Sequence, residues 1–214
     1  MSKTICRSLF ILAVISPCLF AADVDVAADL PADAFQVAYA PHVTLGFEHV
    51  TITNSGNFGT STTIGGHDAN DLICADLYVF DPAQELIACC SCTVTPNDLQ
   101  TVATSQLVSD SLTSVVPPAV TIGLLATQTP ASGFCDPGSV TPAALAPGLR
   151  AWNTVVHVEP GGGYAVTEFP FSLAPLSPAE LFKMTDYCAF IEADGTFNGI
   201  CKSCVLGAAG AAKQ

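Results

Sequence analysis

Cysteine is the residue with most chemistry to offer in this chain. Cys6 and Cys18 lie in the N-terminal segment, and eight more follow: Cys74, Cys89, Cys90, Cys92, Cys135, Cys188, Cys201 and Cys204. Cys89 with Cys92, and Cys201 with Cys204, are each spaced as CxxC. Four thiolates so arranged could hold zinc. A redox CxxC opens a helix inside a βαβ unit, whereas Cys201 and Cys204 follow a helical pattern near the end of the sequence. An even set of cysteines behind an export signal reads instead as disulfides, up to four of them. Cys89 and Cys90 are adjacent, point to opposite faces of a strand and must bond elsewhere. Cys74 is expected with Cys89 or Cys92, Cys188 with Cys201 or Cys204, and Cys135 with a distant partner such as Cys90.

The four histidines, His42, His49, His67 and His157, fall in no catalytic motif: the chain has neither GxSxG nor HExxH. His67, Asp68, Asn70 and Asp71 are the weak candidates for a metal, since oxygen ligands suit calcium. EF-hand spacing is missing there, and a solvated loop is the preferred reading. No metal or cofactor is expected. A glycosidase-like hydrolase would need two converging carboxylates, drawn from Glu48, Asp76, Glu159 and Glu168. Tyr164, Phe169 and Phe171 read as core rather than as a sugar platform.

The compartment follows from the N-terminus. Lys3 and Arg7 precede an apolar run over residues 8–20, and Ala21 and Ala22 come before the first acids. That is the grammar of a signal peptide over residues 1–21. The run is too short for a bilayer span, which takes about 20 residues. Lipid attachment at Cys18 is the competing reading, disfavoured by Pro17 beside the acceptor. A secreted or periplasmic location is therefore expected, with no stable membrane span after signal removal.

The chain carries a formal net charge of −13, from six basic and 19 acidic residues. Removing the signal takes away two of the bases. So few Lys and Arg exclude a nucleic-acid partner, because phosphate binding depends on those side chains. The partner expected is an unknown protein or glycan at the cell surface.

These residues need a scaffold. Residues 22–34 are acidic and Ala-rich, a lead-in. Residues 35–214 read as a single disulfide-stapled domain. Strand patterns cover 35–40, 47–53, 72–80, 85–92, 99–103, 119–126, 149–158 and 164–173, joined by turn residues. Glu48, Val50 and Ile52 share one face of their strand. The strands at 72–80 and 85–92 form a hairpin in which Leu77 meets Ala88. A second hairpin turns on the glycines at 161–163. Ser177-Pro178-Ala179-Glu180 starts a helix running to about residue 193, with Leu181, Met184, Cys188 and Ile191 on its apolar face. The class is mainly β: an immunoglobulin-like antiparallel sandwich, with the helix closing one edge or end. The likeness is one of architecture, because no tryptophan sits between two core cysteines. The loops at 54–71 and 127–148 are the expected contact surfaces.

The blocks ICADLYVFD, ELIACCSC and GICKSC resemble those of uncharacterised exported cysteine-rich bacterial proteins, over about residues 47–204. The resemblance implies no activity. A non-enzymatic interaction or structural protein is the leading expectation. An extracellular hydrolase or polymer-binding module is the second, and a filament subunit that donates a strand is the third.

Overall fold

The computed structural model describes residues 31–56 and 72–201. Two antiparallel sheets carry the fold. Sheet A holds β1 (Phe35–Ala40), β3 (Ile73–Phe80), β4 (Leu86–Val94), β6 (Val120–Gln128) and β9 (Ser172–Leu173), in the order β4-β3-β6-β1-β9. Sheet B holds β2 (His49–Asn54), β5 (Leu99–Ala103), β7 (Leu149–Val158) and β8 (Tyr164–Pro170), in the order β5-β2-β7-β8. Only the β3–β4 and β7–β8 links stay within one sheet; the other connections cross. The immunoglobulin-like expectation thus reaches as far as two packed antiparallel sheets, and the strand order lends it nothing more.

Alternation builds the core. Val50 and Ile52 of β2 face Ala75, Leu77, Val79, Ile122 and Leu124 of sheet A across a dry interior. Burying a Leu or Ile side chain fully contributes roughly 1.5–3 kcal/mol. The opposite face of β3, β4 and β6 is buried too, beneath α2 (Pro178–Ala193). Leu181, Met184, Cys188 and Ile191 form the buried stripe of α2, as the spacing predicts. Its start is capped as expected: the Glu180 amide donates to Ser177 Oγ at 3.1 Å. Gly195, at φ 68°, follows the helix end. The helix therefore lies flat on the outer face of sheet A rather than closing an edge or end. A single turn, α1 (Thr104–Leu107), was too short to leave a periodic signal.

The β3–β4 register differs from the sequence expectation. Leu77 pairs with Cys90 rather than Ala88, and an irregularity sits between Val79 and Phe80. The displacement is two residues, so every side chain keeps its face. The 164–173 segment also divides: β8 ends at Pro170, Phe171 is buried, and β9 joins the other sheet.

Three disulfides bind the layers: Cys74–Cys135, Cys89–Cys188 and Cys90–Cys201. Cys92 is disulfide-bonded as well. Cys204 lies outside the described residues. The pairings correct those expected from local spacing. Cys74 sits opposite Thr93, so Cys89 is four residues further along β4, about 13 Å away at strand rise. Cys92 is opposite Ala75 and faces the other way. Cys89 points outward to α2 and takes Cys188. Cys90 points inward and takes Cys201, which is itself buried in the sandwich core. Cys135, on the outer layer, could not reach Cys90 through the sheet. The expectation that Cys89 and Cys90 bond apart holds.

The last described residues shield one sheet edge. Cys89 N–H donates to Gly199 O at 2.8 Å, and Cys201 N–H to Cys89 O at 3.2 Å. A bare β4 edge would invite pairing with another chain.

Candidate functional site

The opposite edge of sheet A is open. β9 pairs with Gln36 and Val37 only, so no strand lies beside Ala38–Ala40 on that flank among the described residues; of these three only Tyr39 turns its main chain that way, since Ala38 and Ala40 face Ile122 and Val120 of β6. Beneath this stretch the two sheets part, leaving a groove of about 560 Å³. Val37, Tyr39 and Pro41 line one wall; Val155, His157 and Phe169 line the other. The chain crossing from β8 to β9, at Pro170 and Ser172, closes one end.

The floor carries Asn153. It is 1% exposed, and its Nδ2 donates to Tyr39 O at 3.0 Å. Its Oδ1 is buried without a partner, which is costly for an amide. The Asn153 side chain thus offers β1 one donor and one acceptor, as a neighbouring strand would. Gln36 makes a related bridge nearby, donating from Nε2 to Leu149 O at 2.8 Å. These cross-sheet amides hold the groove walls apart at a fixed spacing.

Beside the groove, the turn before β2 and the end of β7 bring together His42, Glu48 and His157. His42 Nδ1 is 3.7 Å from Glu48 Oε1, and the two imidazole centroids are 6.0 Å apart. Glu48 is 1% exposed. Burial pushes its carboxyl above the usual range, while the amides of His42 and Val156 and the two imidazoles act in the other direction. Neither amide reaches hydrogen-bonding geometry, and both Glu48 oxygens lack a hydrogen-bond partner. The sequence placed Glu48 on the buried face but gave no sign of this histidine pair, whose members stand far apart in the chain.

The four carboxylates proposed for hydrolysis do not converge. Glu48 is held as above. Asp76 lies on the outer face of sheet A under α2, accepting from Ser91 Oγ at 2.5 Å and Thr127 Oγ1 at 2.8 Å. Glu159 is on the exposed β7–β8 turn, and Glu168 stands opposite Thr154 on the exposed face of sheet B. A different acidic group forms instead, between Asp76, Asp136 and Glu192. Burial first, then the hydroxyls in opposition and Asp136 in support, sets Asp76 at about 6. Burial, then the charge of Asp136 and a hydrogen bond with it, pushes Glu192 up to about 7. Tyr78 donates its hydroxyl to Pro137 O at 2.7 Å. These contacts tie the 127–148 loop to sheet A at Pro137, while residues 130–134 and 141–143 stay exposed.

The calcium candidates His67, Asp68, Asn70 and Asp71 lie outside the described residues. Among the described residues, no group of three His, Cys, Asp or Glu is placed to hold a metal ion. Tyr164 and Phe169, expected in the core, are 58% and 49% exposed, and only Phe171 is buried. Among the described residues β8 is an edge strand with nothing packed outside it, which is why alternation misled there. Tyr164 lies against Phe47 at 5.5 Å between ring centroids, on the same exposed surface as Trp152. A further hollow of about 590 Å³ beside α2 involves Gln84, Leu112 and Tyr187, but no open strand edge borders it. Comparison with family models, with curated proteins and with solved structures finds no match.

Proposed function

We propose that this is an exported, non-enzymatic interaction protein that binds an extended polypeptide in the groove beside β1. One observation carries the reading: an apolar groove between the sheets beside β1, onto which the Tyr39 N–H faces, with the orphaned Asn153 Oδ1 at its floor. Strand addition uses main-chain hydrogen bonds for affinity and alternate side chains for selectivity. The three disulfides described above and the signal-like N-terminus support export. No helix among the described residues is long and apolar enough to cross a membrane. The resemblance to uncharacterised exported cysteine-rich proteins fits this reading and adds no chemistry.

Selection from a displayed random-peptide library tests it. Enriched peptides should alternate apolar and polar residues and lose binding to Ala38→Trp, which fills the groove. Enrichment of peptides indifferent to Ala38→Trp, or no enrichment, would reject the groove.

A second reading rests on Phe47, Trp152 and Tyr164, exposed on sheet B. Exposed rings of this kind suit stacking against sugars. A glycan array with Trp152→Ala as control separates the two readings.

A further inference from the structure

Sheet B turns one face to the core and the other to water. Val50, Ile52 and Val102 point inward, so the residues between them on β2 and β5 point out. The register then places Trp152 beside Thr51, Tyr164 beside Val158 and Val166 beside Val156 on the outer side. Phe47, just ahead of β2, lies against Tyr164. Leu99 stands beside Thr53 at the far strand. Phe47, Leu99, Trp152, Val158, Tyr164 and Val166 are between 37% and 64% exposed. The outer face of sheet A, by contrast, is covered by α2.

The exposed area is large. A whole aromatic side chain presents about 200 Å², and an aliphatic one somewhat less. At their exposures these six leave about 600 Å² of apolar side chain in water. That is the upper end of the largest patch a soluble monomer shows, about 300–600 Å². Covering it with the same face of a second copy would bury about 1,200 Å² in total, and a specific interface needs about 1,000 Å² or more.

The charges point the same way. The chain has 19 acids and six bases. The strands of sheet B turn outward only Arg150, paired with Asp33 at 2.6 Å, and Glu168, on edge strand β8 where water stays within reach. Thr51, Thr101 and Thr154 lie between the apolar residues. The buried part of an interface is depleted of charge in this manner. The exposed rings of α2, Phe182 and Phe190, stand instead among Glu180, Asp186, Glu192 and Asp194. Two copies meeting there would set like charges together. A two-fold contact also needs a patch that matches itself, and a nearly uncharged face with one base and one acid does.

We propose that the outer face of sheet B packs on the same face of a second copy, making a two-fold symmetric dimer that buries Trp152, Tyr164 and Val166. The inference goes beyond the groove reading and does not depend on it, because the groove is lined by the opposite side chains of β7, Asn153, Val155 and His157. The same rings carry the sugar reading, so a sugar and a second copy would compete for one surface.

Sedimentation velocity of the full exported chain, with disulfides intact, tests the proposal. A dimer that dissociates on dilution is expected. Val166→Glu should raise the dissociation constant about a hundredfold or more, because each copy would bring an unpaired carboxylate into the contact. Val166 is exposed in the single chain, so the variant should fold, and circular dichroism checks that it does. Phe182→Glu on α2 should leave the constant unchanged. As a second measurement, photoreactive benzoylphenylalanine replaces Val166 in mixed light and ¹⁵N-labelled copies. Irradiation should join it to peptides of the other isotope within residues 47–53, 99–103, 150–158 or 164–170. A chain that is monomeric at every concentration, a dimer that Val166→Glu leaves intact, or crosslinks that fall outside sheet B would overturn the proposal. So would a monomer whose glycan binding is lost with Trp152→Ala, which would make a sugar the occupant of this face.

Discussion

Replacing Asp76 by Asn should make the protein more stable at neutral pH. Asp76 is wholly buried and holds its proton up to about pH 6, against 3.8 for an ordinary aspartate. The folded state therefore binds more protons than the unfolded state between those values, and stability falls as pH rises through that window. The stabilisation is complete below 3.8 and gone once the pH has passed about 6. A shift of roughly two units corresponds to about 3 kcal/mol at 1.36 kcal/mol per unit. Asn keeps the shape and does not titrate. Ser91 and Thr127 now donate to different carboxylate oxygens; the Asn Oδ1 can still accept from one hydroxyl, and its Nδ2 can donate to the oxygen of the other. Relative to wild type, Asp76→Asn should gain about 3 kcal/mol between pH 4 and pH 8, or about 6–12 °C in Tm for a chain of this size. Urea unfolding at intervals of pH, with disulfides intact, measures the difference. Glu48 is raised in the same direction, but it is present in both proteins and cancels; Glu192 is raised first by burial and then by Asp136, with the Asp76 charge last, so most of its effect cancels too. A difference that is flat with pH, or that falls as pH rises, would refute the argument.

Three other outcomes follow from the packing. Peptide mapping without reduction should recover Cys74–Cys135, Cys89–Cys188 and Cys90–Cys201, with Cys92 linked to Cys204 as the remaining pair. Removing Cys90 and Cys201 together should cost about 3 kcal/mol, since with Cys89–Cys188 intact they close a further loop of only about 15 residues. Gly138→Ala should destabilise by about 1–3 kcal/mol in thermal melts, because its Cβ would stand 2.9 Å from the Ala189 backbone and 2.6 Å from Glu192 Oε2.

The parts legible in the sequence were those set by neighbours along the chain. The capped start Ser177-Pro178 fixed α2 at Pro178–Ala193, and period-two patterns located eight stretches of strand. The faces of β3 and β4 were readable even though the register was two residues off, because parity survives such a slip. What escaped depends on contacts between layers. Spacing favoured cysteines close in sequence, whereas Cys89 found its partner on a helix 99 residues away. Tyr164 and Phe169 look like core residues until β8 is known to be an edge. His42, Glu48 and His157 meet only because β2 lies beside β7. The groove itself is a gap between two sheets, and no residue pattern along the chain announces it.

Amide hydrogen exchange at Tyr39 tests the central claim most directly, because it is the one amide of Ala38–Ala40 that faces the groove. It should be measured with and without a library-selected peptide, with residues 122–124 of the neighbouring β6 as internal control. A peptide seated in the groove should slow exchange at Tyr39 about tenfold or more, because local opening would then break a new main-chain hydrogen bond, and leave 122–124 unchanged. Equal exchange at Tyr39 in the two samples, with peptide bound, would show that the peptide sits elsewhere and that the groove beside β1 is not its site.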